Sequence, residues 1–312
     1  MRVLLAGASG AIGSYLIPLL RDAGHSVLGL THSKDGAARV RALGAEGVVA
    51  DLLRPESIEK ALAGYSADAI IHEATGLDRT PMRHRDLRAT NALRTLGTRN
   101  LLLVAPTLGV RRFVTQSFFL GYGYYDHGRT TVDETHPFGI ARGDAFDEHL
   151  HAMRVNEEQV LDATEVEGIS LRYGLFYGND RSTRQMHVQL LKRRLPVPTP
   201  GAVTSLIHLQ DAASCTVAAL EHGQPRHSYN VADDHPLALA SFIRTLAEIT
   251  EAPRPATIPP WLLRPWPYAY AFMARSTIRM SAAKAKNELG WTPQYPSIDE
   301  GLEATIESWS ER

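Results

Sequence analysis

Seven residues near the start of the chain, Gly7-Ala8-Ser9-Gly10-Ala11-Ile12-Gly13, constrain its fold more than any other stretch. They follow a short apolar run, Arg2-Val3-Leu4-Leu5-Ala6, and open an apolar helical pattern over Ala11–Asp22. Gly7 permits a tight turn, Gly10 lets a ligand approach the backbone, and Gly13 lets the helix pack close to a sheet. The helix N-terminus offers free N–H groups and a partial positive charge, which suit a pyrophosphate. Glycine spacing alone is unspecific. The strand before it and the helix behind it make this a dinucleotide-binding turn, with Gly7, Ser9, Gly10, Ala11, Ile12 and Gly13 as its contacts.

Strand-like runs recur at Arg2–Ala6, Ser26–Leu30, Gly47–Ala50, Ala69–Ile71, Arg112–Gln116 and Ile169–Tyr173. Helical patterns lie between them at Ala11–Asp22, Ala37–Leu43, Pro55–Ala63, His84–Leu103 and Ala145–Glu167. Such alternation joins parallel strands by right-handed crossovers, so the expected class is α/β, a Rossmann doubly wound parallel sheet. After Tyr173 the pattern loosens. Prolines gather at 196, 198 and 200 and again from 253 to 267, with helices predicted at Thr183–Arg194, Gln210–Glu221, Leu237–Thr250 and Ser297–Trp309. The expected division is an NAD(P)-binding domain over 1–174 and a smaller C-terminal substrate-binding lobe over 175–312, with a soft boundary that elements can cross. The crevice at the strand ends is where such sheets bind ligands.

Charge excludes some partners. With 33 basic and 34 acidic residues the net charge is −1, which gives no field to gather nucleic acid or an anionic membrane. The most apolar late stretch, Ile258 to Met273, contains four prolines and Arg264; it makes a poor membrane span and reads as a helix covering a pocket. Cys215 is the single cysteine, best read as a buried small hydrophobe in a cytoplasmic chain. Met1 leads straight into the first strand without the basic segment of a leader. No metal spacing is present among the histidines: His72-Glu73 lacks a second histidine four residues on, and His149 and His151 point to different helix faces. Solvent-facing roles are the expectation for the other histidines.

The second strand ends in Thr31-His32-Ser33-Lys34, where a cofactor lacking a 2′-phosphate usually meets an acid. Here Ser33 can donate to a phosphate, and His32, Lys34 or Arg39 can neutralise it. That chemistry favours NADPH over NADH; a solvated helix face is the alternative for Lys34 and Arg39.

With these residues in place, the chain resembles the extended short-chain dehydrogenase/reductases, the NAD-dependent epimerase/dehydratase family. Val49-Ala50-Asp51-Leu52 is similar to the strand end that approaches the adenine, which implicates Asp51 and Leu52. Ile70-Ile71-His72-Glu73-Ala74-Thr75 resembles the motif skirting the cofactor ribose and implicates Glu73, Ala74 and Thr75. Asn91 to Leu103 resembles the family's Asn…Gly-Thr…Asn-Leu-Leu helix. Leu171 to Gly178 resembles the segment lining the nicotinamide, which adds Tyr173 and Phe176; Gln116 at the fifth strand end joins the same set. Ile207-His208-Leu209-Gln210-Asp211 and Lys284 to Trp291 match later family signatures.

The reaction machinery departs from the pattern. Family members use a Tyr-x-x-x-Lys pair, whose lysine lowers the phenol pKa so that it can exchange a proton with substrate. None of the eleven tyrosines here has a lysine four residues later. Alignment through Glu158 puts Leu150 at the tyrosine position and Arg154 at the lysine position, where an arginine can hold ribose hydroxyls but not act as an acid. Alignment through Tyr122-Gly123 puts Phe118 at the usual catalytic hydroxyl, with Ser117 one residue earlier as the candidate catalytic group. A strand-end serine bonding backbone is the alternative for Ser117.

Aromatic residues crowd the segments expected around the nicotinamide, and Ser117, Phe118, Tyr122 and Tyr177 are the candidate substrate pocket. Arg181, Arg184, Lys192, Arg193 and Arg194 could clamp a diphosphate, or the last three could be a solvated helix end. The Gln-Ser-Phe strand end and the missing tyrosine resemble atypical ketoreductases of actinobacterial natural-product pathways, the angucyclinone ketoreductases among them. Three readings follow: an NAD(P)H-dependent ketoreductase of a planar aromatic or polyketide-type small molecule, a sugar-nucleotide epimerase or dehydratase, and a non-catalytic NADP-binding sensor or scaffold. Family dimers pair two helices that here carry Arg85, Asp86, Arg88, Arg94 and Arg99, so monomer and homodimer both stay open.

Overall fold

The computed structural model describes residues 1–77 and 80–310. Its centre is a seven-stranded parallel sheet: β1 (Arg2–Ala6), β2 (Ser26–Thr31), β3 (Glu46–Val49), β4 (Ala69–His72), β5 (Arg112–Phe118), β6 (Glu167–Tyr173) and β7 (His227–Val231). The strand order is β7-β6-β5-β4-β1-β2-β3, so the direction of winding reverses between β1 and β4. Strands buried on both faces read as apolar runs, which is why Val3, Leu4, Leu5, Ile70 and Ile71 are wholly enclosed.

Helices α1 (Ala11–Asp22) and α8 (Leu209–His222) cover one face. The other carries α3 (Pro55–Leu62), α5 (Thr98–Leu108) and α6 (Asp147–Leu161), while α2 (Lys34–Ala42) lies against β2 and β3. Two predicted elements change. The helix expected over His84–Leu103 is broken: a 3₁₀ turn at His84–Leu87, a short α4 (Arg88–Ala92), and a π-helical turn at Leu93–Gly97 precede α5. The helix expected to reach Glu167 stops at Leu161, because Glu167 opens β6 and pairs there with Arg112.

The chain does not divide cleanly at 174. After Leu175–Tyr177 and Leu206–His208 pair with each other, α8 packs on α1 and β7 closes the sheet beside β6. Sequence reading omitted β7, whose His227-Ser228-Tyr229-Asn230-Val231 is polar for a strand. It is an edge strand, and its outer backbone groups are met by Glu134, which accepts from Asn230 N at 2.6 Å, and by Lys284, which donates to Ser228 O at 2.9 Å. The remaining lobe is built on α7 (Arg181–Leu191), α9 (Leu239–Ile249) and the helix Ile298–Ser310 around Phe242, Ile243, Leu246 and Leu302. None of the helices is long and apolar enough to cross a membrane among the described residues. Cys215 is buried in α8.

One buried ion pair ties the layers together. Arg172 on β6 donates from Nε and Nη2 to both carboxylate oxygens of Glu157 on α6 at 2.8–3.2 Å, and from Nη1 to the Tyr122 hydroxyl at 3.0 Å. Tyr122 donates to Asn230 on β7 at 2.8 Å. Removing one partner strands a charge in the core, so Arg172→Met should cost about 3–5 kcal/mol in urea unfolding. The double variant Arg172→Met with Glu157→Leu should recover most of that loss.

Candidate active site

The glycine turn between β1 and α1 sits at the C-terminal end of the sheet, beside the point where winding reverses. Gly7 has φ +87°, and a Cβ there would lie 2.6 Å from Ala74 N. This close approach joins the turn to the end of β4, so Glu73, Ala74 and Thr75 border the same crevice as Gly7. A Cβ at Gly13 would collide with Ala8 O, so this glycine lets α1 close onto its own turn. Gly10 is different: it is exposed, and an added Cβ would meet only Gly7 O at 3.1 Å. No side chain caps α1, so its first-turn N–H groups are left to an external acceptor. A bare helix start above a cradle without side chains fits a dinucleotide pyrophosphate. Ser9 and Ala11 flank this opening, while Ile12 points into the core.

At the end of β2, Ser33 caps α2 by accepting from Gly36 N at 3.1 Å, leaving its own proton free to donate. Ser9 and Ser33 converge, since a Cβ on Gly36 would lie 2.9 Å and 3.1 Å from their hydroxyl oxygens. His32, Lys34 and Arg39 are exposed around them. Asp51 is exposed and accepts from Leu53 N at 3.0 Å; Leu52 is buried and its carbonyl accepts from Asn100 at 2.8 Å.

Glu73 turns inward. It is 6% exposed and accepts from the Tyr173 hydroxyl at 2.9 Å, which also lies 2.6 Å from Thr216 Oγ1. Burial pushes its carboxyl up to about 8, against the opposing bond from Tyr173. Phe176 leans on Tyr173 with ring centroids 5.1 Å apart. Gln116 and Ser117 are buried at the end of β5, and neither Gln116 Nε2 nor Ser117 Oγ has a hydrogen-bond partner.

Leu150, which cannot relay a proton, is buried in a cluster with Tyr124, Phe146 and Tyr268. Several other predicted positions require correction. Arg154 donates from Nη2 to Gly139 O at 2.6 Å and stacks over Phe138, which turns it toward the 138–139 loop. Tyr122 and Tyr177 are wholly buried and do not line an open pocket: the first is held by Arg172 and Asn230, the second packs on His208 and Phe242 in the C-terminal lobe. Phe118 remains partly exposed, edge-on to Phe119. Arg184 is taken by Asn179 and Trp309, while Lys192, Arg193 and Arg194 are exposed at the end of α7. His208 is buried, not solvent-facing, and His72 and His149 are buried as well. A nearly closed cleft of ≈ 10 Å³ lies beside Leu150, between Tyr124, Phe146 and Arg142. The wider groove of ≈ 620 Å³ sits at the opposite edge of the sheet, around Arg2, Arg21 and Glu46, and contains none of the predicted site residues.

The model of the NAD dependent epimerase/dehydratase family matches residues 3–232. The chain belongs to this family. It is 32% identical to a Streptomyces 3-diazoavenalumate denitrifying reductase, over 97% of the chain and 99% of that relative. It is 27% identical to a 4-hydroxy-2-methyl-3-oxo-4-farnesyl-3,4-dihydroquinoline-1-oxide ketoreductase of Stigmatella aurantiaca, over 80% of the chain and 73% of the relative. Among solved structures, the UDP-glucose 4-epimerase of Thermotoga maritima superimposes with a TM-score of 0.80 at 20% identity, covering 100% of this chain and 99% of that one. As an epimerase/dehydratase family member with reductase relatives, the chain is an NAD(P)-dependent oxidoreductase.

What sequence reading missed in this family member is its buried charge. In the sequence Arg94 stands only among the charged residues of the helices that family dimers pair, yet it is buried. A signal was available: Leu87, Asn91, Arg94, Thr98 and Leu101 form one stripe at helical spacing, and all are buried.

Two outcomes follow. Gly10→Val should fold normally, because its side chain meets little protein, but calorimetry should detect no NADPH binding; retained affinity would remove the turn from the site. Glu73 makes stability depend on pH. Its folded pKa of about 8 lies above the ordinary 4.5, so between those values the folded chain holds a proton that the unfolded chain has released. Stability therefore falls as pH rises through this window. Glu73→Gln should flatten the fall, gaining ~1–3 kcal/mol on wild type between pH 5 and pH 8 in thermal melts. Parallel curves for the two proteins would show that Glu73 is already ionised at pH 5.

Proposed function

We propose that this oxidoreductase delivers hydride to a planar aromatic small molecule with no protein acid at the reacting atom, and that it prefers NADPH. The observation that carries the reading is Leu150, an apolar side chain packed among aromatics, at the position where the family resemblance implies a phenol. No tyrosine in the described core replaces it well. Burial pushes Tyr122 up to about 12 and raises Tyr124, Tyr173 and Tyr177. A phenol with a raised pKa is a poorer match to proton transfer near neutral pH.

The bound nicotinamide supplies the hydride. The chain's own part is to hold the pyrophosphate on the bare start of α1, to meet a 2′-phosphate with Ser33, His32 and Lys34, and to exclude water with its aromatic cluster. Asp51, Leu52, Glu73, Ala74, Thr75 and Phe176 border the remainder of the cofactor. Ser117 Oγ, buried without a partner, is available to donate to an oxygen that gains charge. For a ketone, the proton then comes from water or from a hydroxyl beside the carbonyl, whose internal hydrogen bond polarises it.

A second acceptor is favoured by the diazo relative, which matches over 97% of the chain. When hydride adds to the ring carbon of an arene diazonium, the C–N bond breaks and its electron pair leaves with dinitrogen. Nothing in that balance needs a proton, so a site without an acid suits it. Cytoplasmic reducing conditions are the setting that we infer for either reaction.

NADPH oxidation against ortho-hydroxyaryl ketones, aryl diazonium salts and UDP-glucose distinguishes these readings, repeated with NADH. Consumption with an aromatic acceptor, faster with NADPH, is the expected result. It should survive within about tenfold when Tyr122, Tyr124, Tyr125, Tyr173 and Tyr177 are each replaced by Phe, and fall ~10–100-fold in Ser117→Ala for the ketone alone. UDP-glucose epimerisation without net NADPH loss would sink the proposal. So would a single Tyr→Phe variant that abolishes turnover while cofactor binding is kept, because a relocated phenolic acid would then exist.

A further inference from the structure

A guanidinium buried without an acid of its own marks another part of this site. Arg94 lies on the π-helical turn Leu93–Gly97, is 7% exposed, and its Nε has no hydrogen-bond partner. No carboxylate pairs with it among the described residues. Glu157 is the acid whose charge reaches it, but both oxygens of Glu157 are taken by Arg172. Its other neighbours are uncharged. Burial raises the Tyr124 and Tyr268 phenols and holds His72 and His149 down to about 4. An arginine does not shed its proton to escape such surroundings, so the positive charge persists and is left without a counter-ion.

Aromatic rings pack together beside it. Tyr124 stacks on Phe146 with centroids 4.6 Å apart, and Tyr268 stands edge-on to Tyr124 at 6.1 Å and to His149 at 6.0 Å. His149 is fixed between His84, at 3.0 Å, and Asn91, at 2.9 Å, while Asn91 Oδ1 has no partner. A second π-helical turn, Ala271–Arg275, follows the short helix Pro267–Tyr270 that brings in Tyr268. π-helical turns are rare and gather at functional sites; here two border one cluster, with Leu150 in its wall.

We propose that Arg94 binds the carboxylate of the substrate, and that the substrate is a planar aromatic acid whose ring lies among Tyr124, Phe146 and Tyr268. This deepens the reductase reading, since it names the substrate class of the same site. It also requires the segment over 260–275 to move, because the cluster is closed in this conformation. An aromatic face gives area and orientation, and the desolvated guanidinium selects acid over ester.

Calorimetric titration of the full chain loaded with NADPH tests this, using 2-naphthoate and its methyl ester as probes. The acid should bind at least about tenfold more tightly than the ester. In Arg94→Met the acid should weaken by about tenfold or more while the ester and NADPH are unchanged; Arg94→Lys should keep part of the preference. Equal affinities for acid and ester in the unaltered chain overturn the proposal, and this comparison holds even if Arg94→Met does not fold. No binding of either probe up to about 1 mM overturns it as well. Unchanged acid binding in Arg94→Met overturns it, and loss of NADPH binding in that variant reassigns the guanidinium to the cofactor. Binding here needs no turnover, so an inactive substrate screen and a failed carboxylate site give separate results.

Discussion

The bidentate contact between Arg172 and Glu157 does more than join a strand to a helix. Two charges leave water together, and they persist in the interior because each satisfies the other and Arg172 also donates from Nη1 to Tyr122. Through Tyr122 and Asn230 the constraint reaches the edge strand β7; through α6 it fixes the helix that carries Leu150 and Arg154. The same contact decides the electrostatics of the interior nearby. Glu157 carries one negative charge, which Arg172 balances, so the charge of Arg94 nearby is left in excess.

The absence of a Tyr-x-x-x-Lys pair looks like a loss when set against the pattern that the family resemblance implies, but the surroundings are consistent with it. A tyrosine acid needs a cation close enough to draw its pKa down. Arg154, at the lysine position, is held by Gly139 O over the face of Phe138. The tyrosines that crowd the region are buried, and burial raises the pKa of Tyr122 and Tyr124 although Arg172 and Arg94 pull the other way. Leucine at 150 therefore belongs to a coherent apolar wall, as the proposed hydride transfer without a protein acid requires.

What could be read in the sequence divides along physical lines. The glycine turn was legible because backbone conformation and steric closeness are local: φ at Gly7 and the contact of Gly13 with Ala8 follow from residues a few positions apart. The sheet was legible for a similar reason, since buried parallel strands leave apolar runs at Val3–Leu5 and Ile70–Ile71. Strand β7 was not, because an edge strand tolerates Ser228 and Asn230 on groups that later segments cover. The break in the helix at Leu93–Gly97 has no sequence marker of the proline type; it accompanies a buried arginine whose environment is assembled from 84–94, 124, 149 and 268. The roles of Tyr122 and Tyr177 were misjudged because spacing places a residue near a strand end but does not show which way the surrounding lobe closes over it.

The late return of the chain to its own sheet carries a consequence for synthesis. By the time Tyr173 has been made, six strands can pair, yet β6 then presents a bare, apolar edge. Its covering strand is made about fifty residues later, and Lys284, which shields the outer edge of that strand in turn, later still. A nascent or truncated chain ending between those points carries an unpaired strand ready to accept any other extended segment. The dinucleotide-binding half looks self-contained when read from the N-terminus, yet its open edge is covered by a strand made after it.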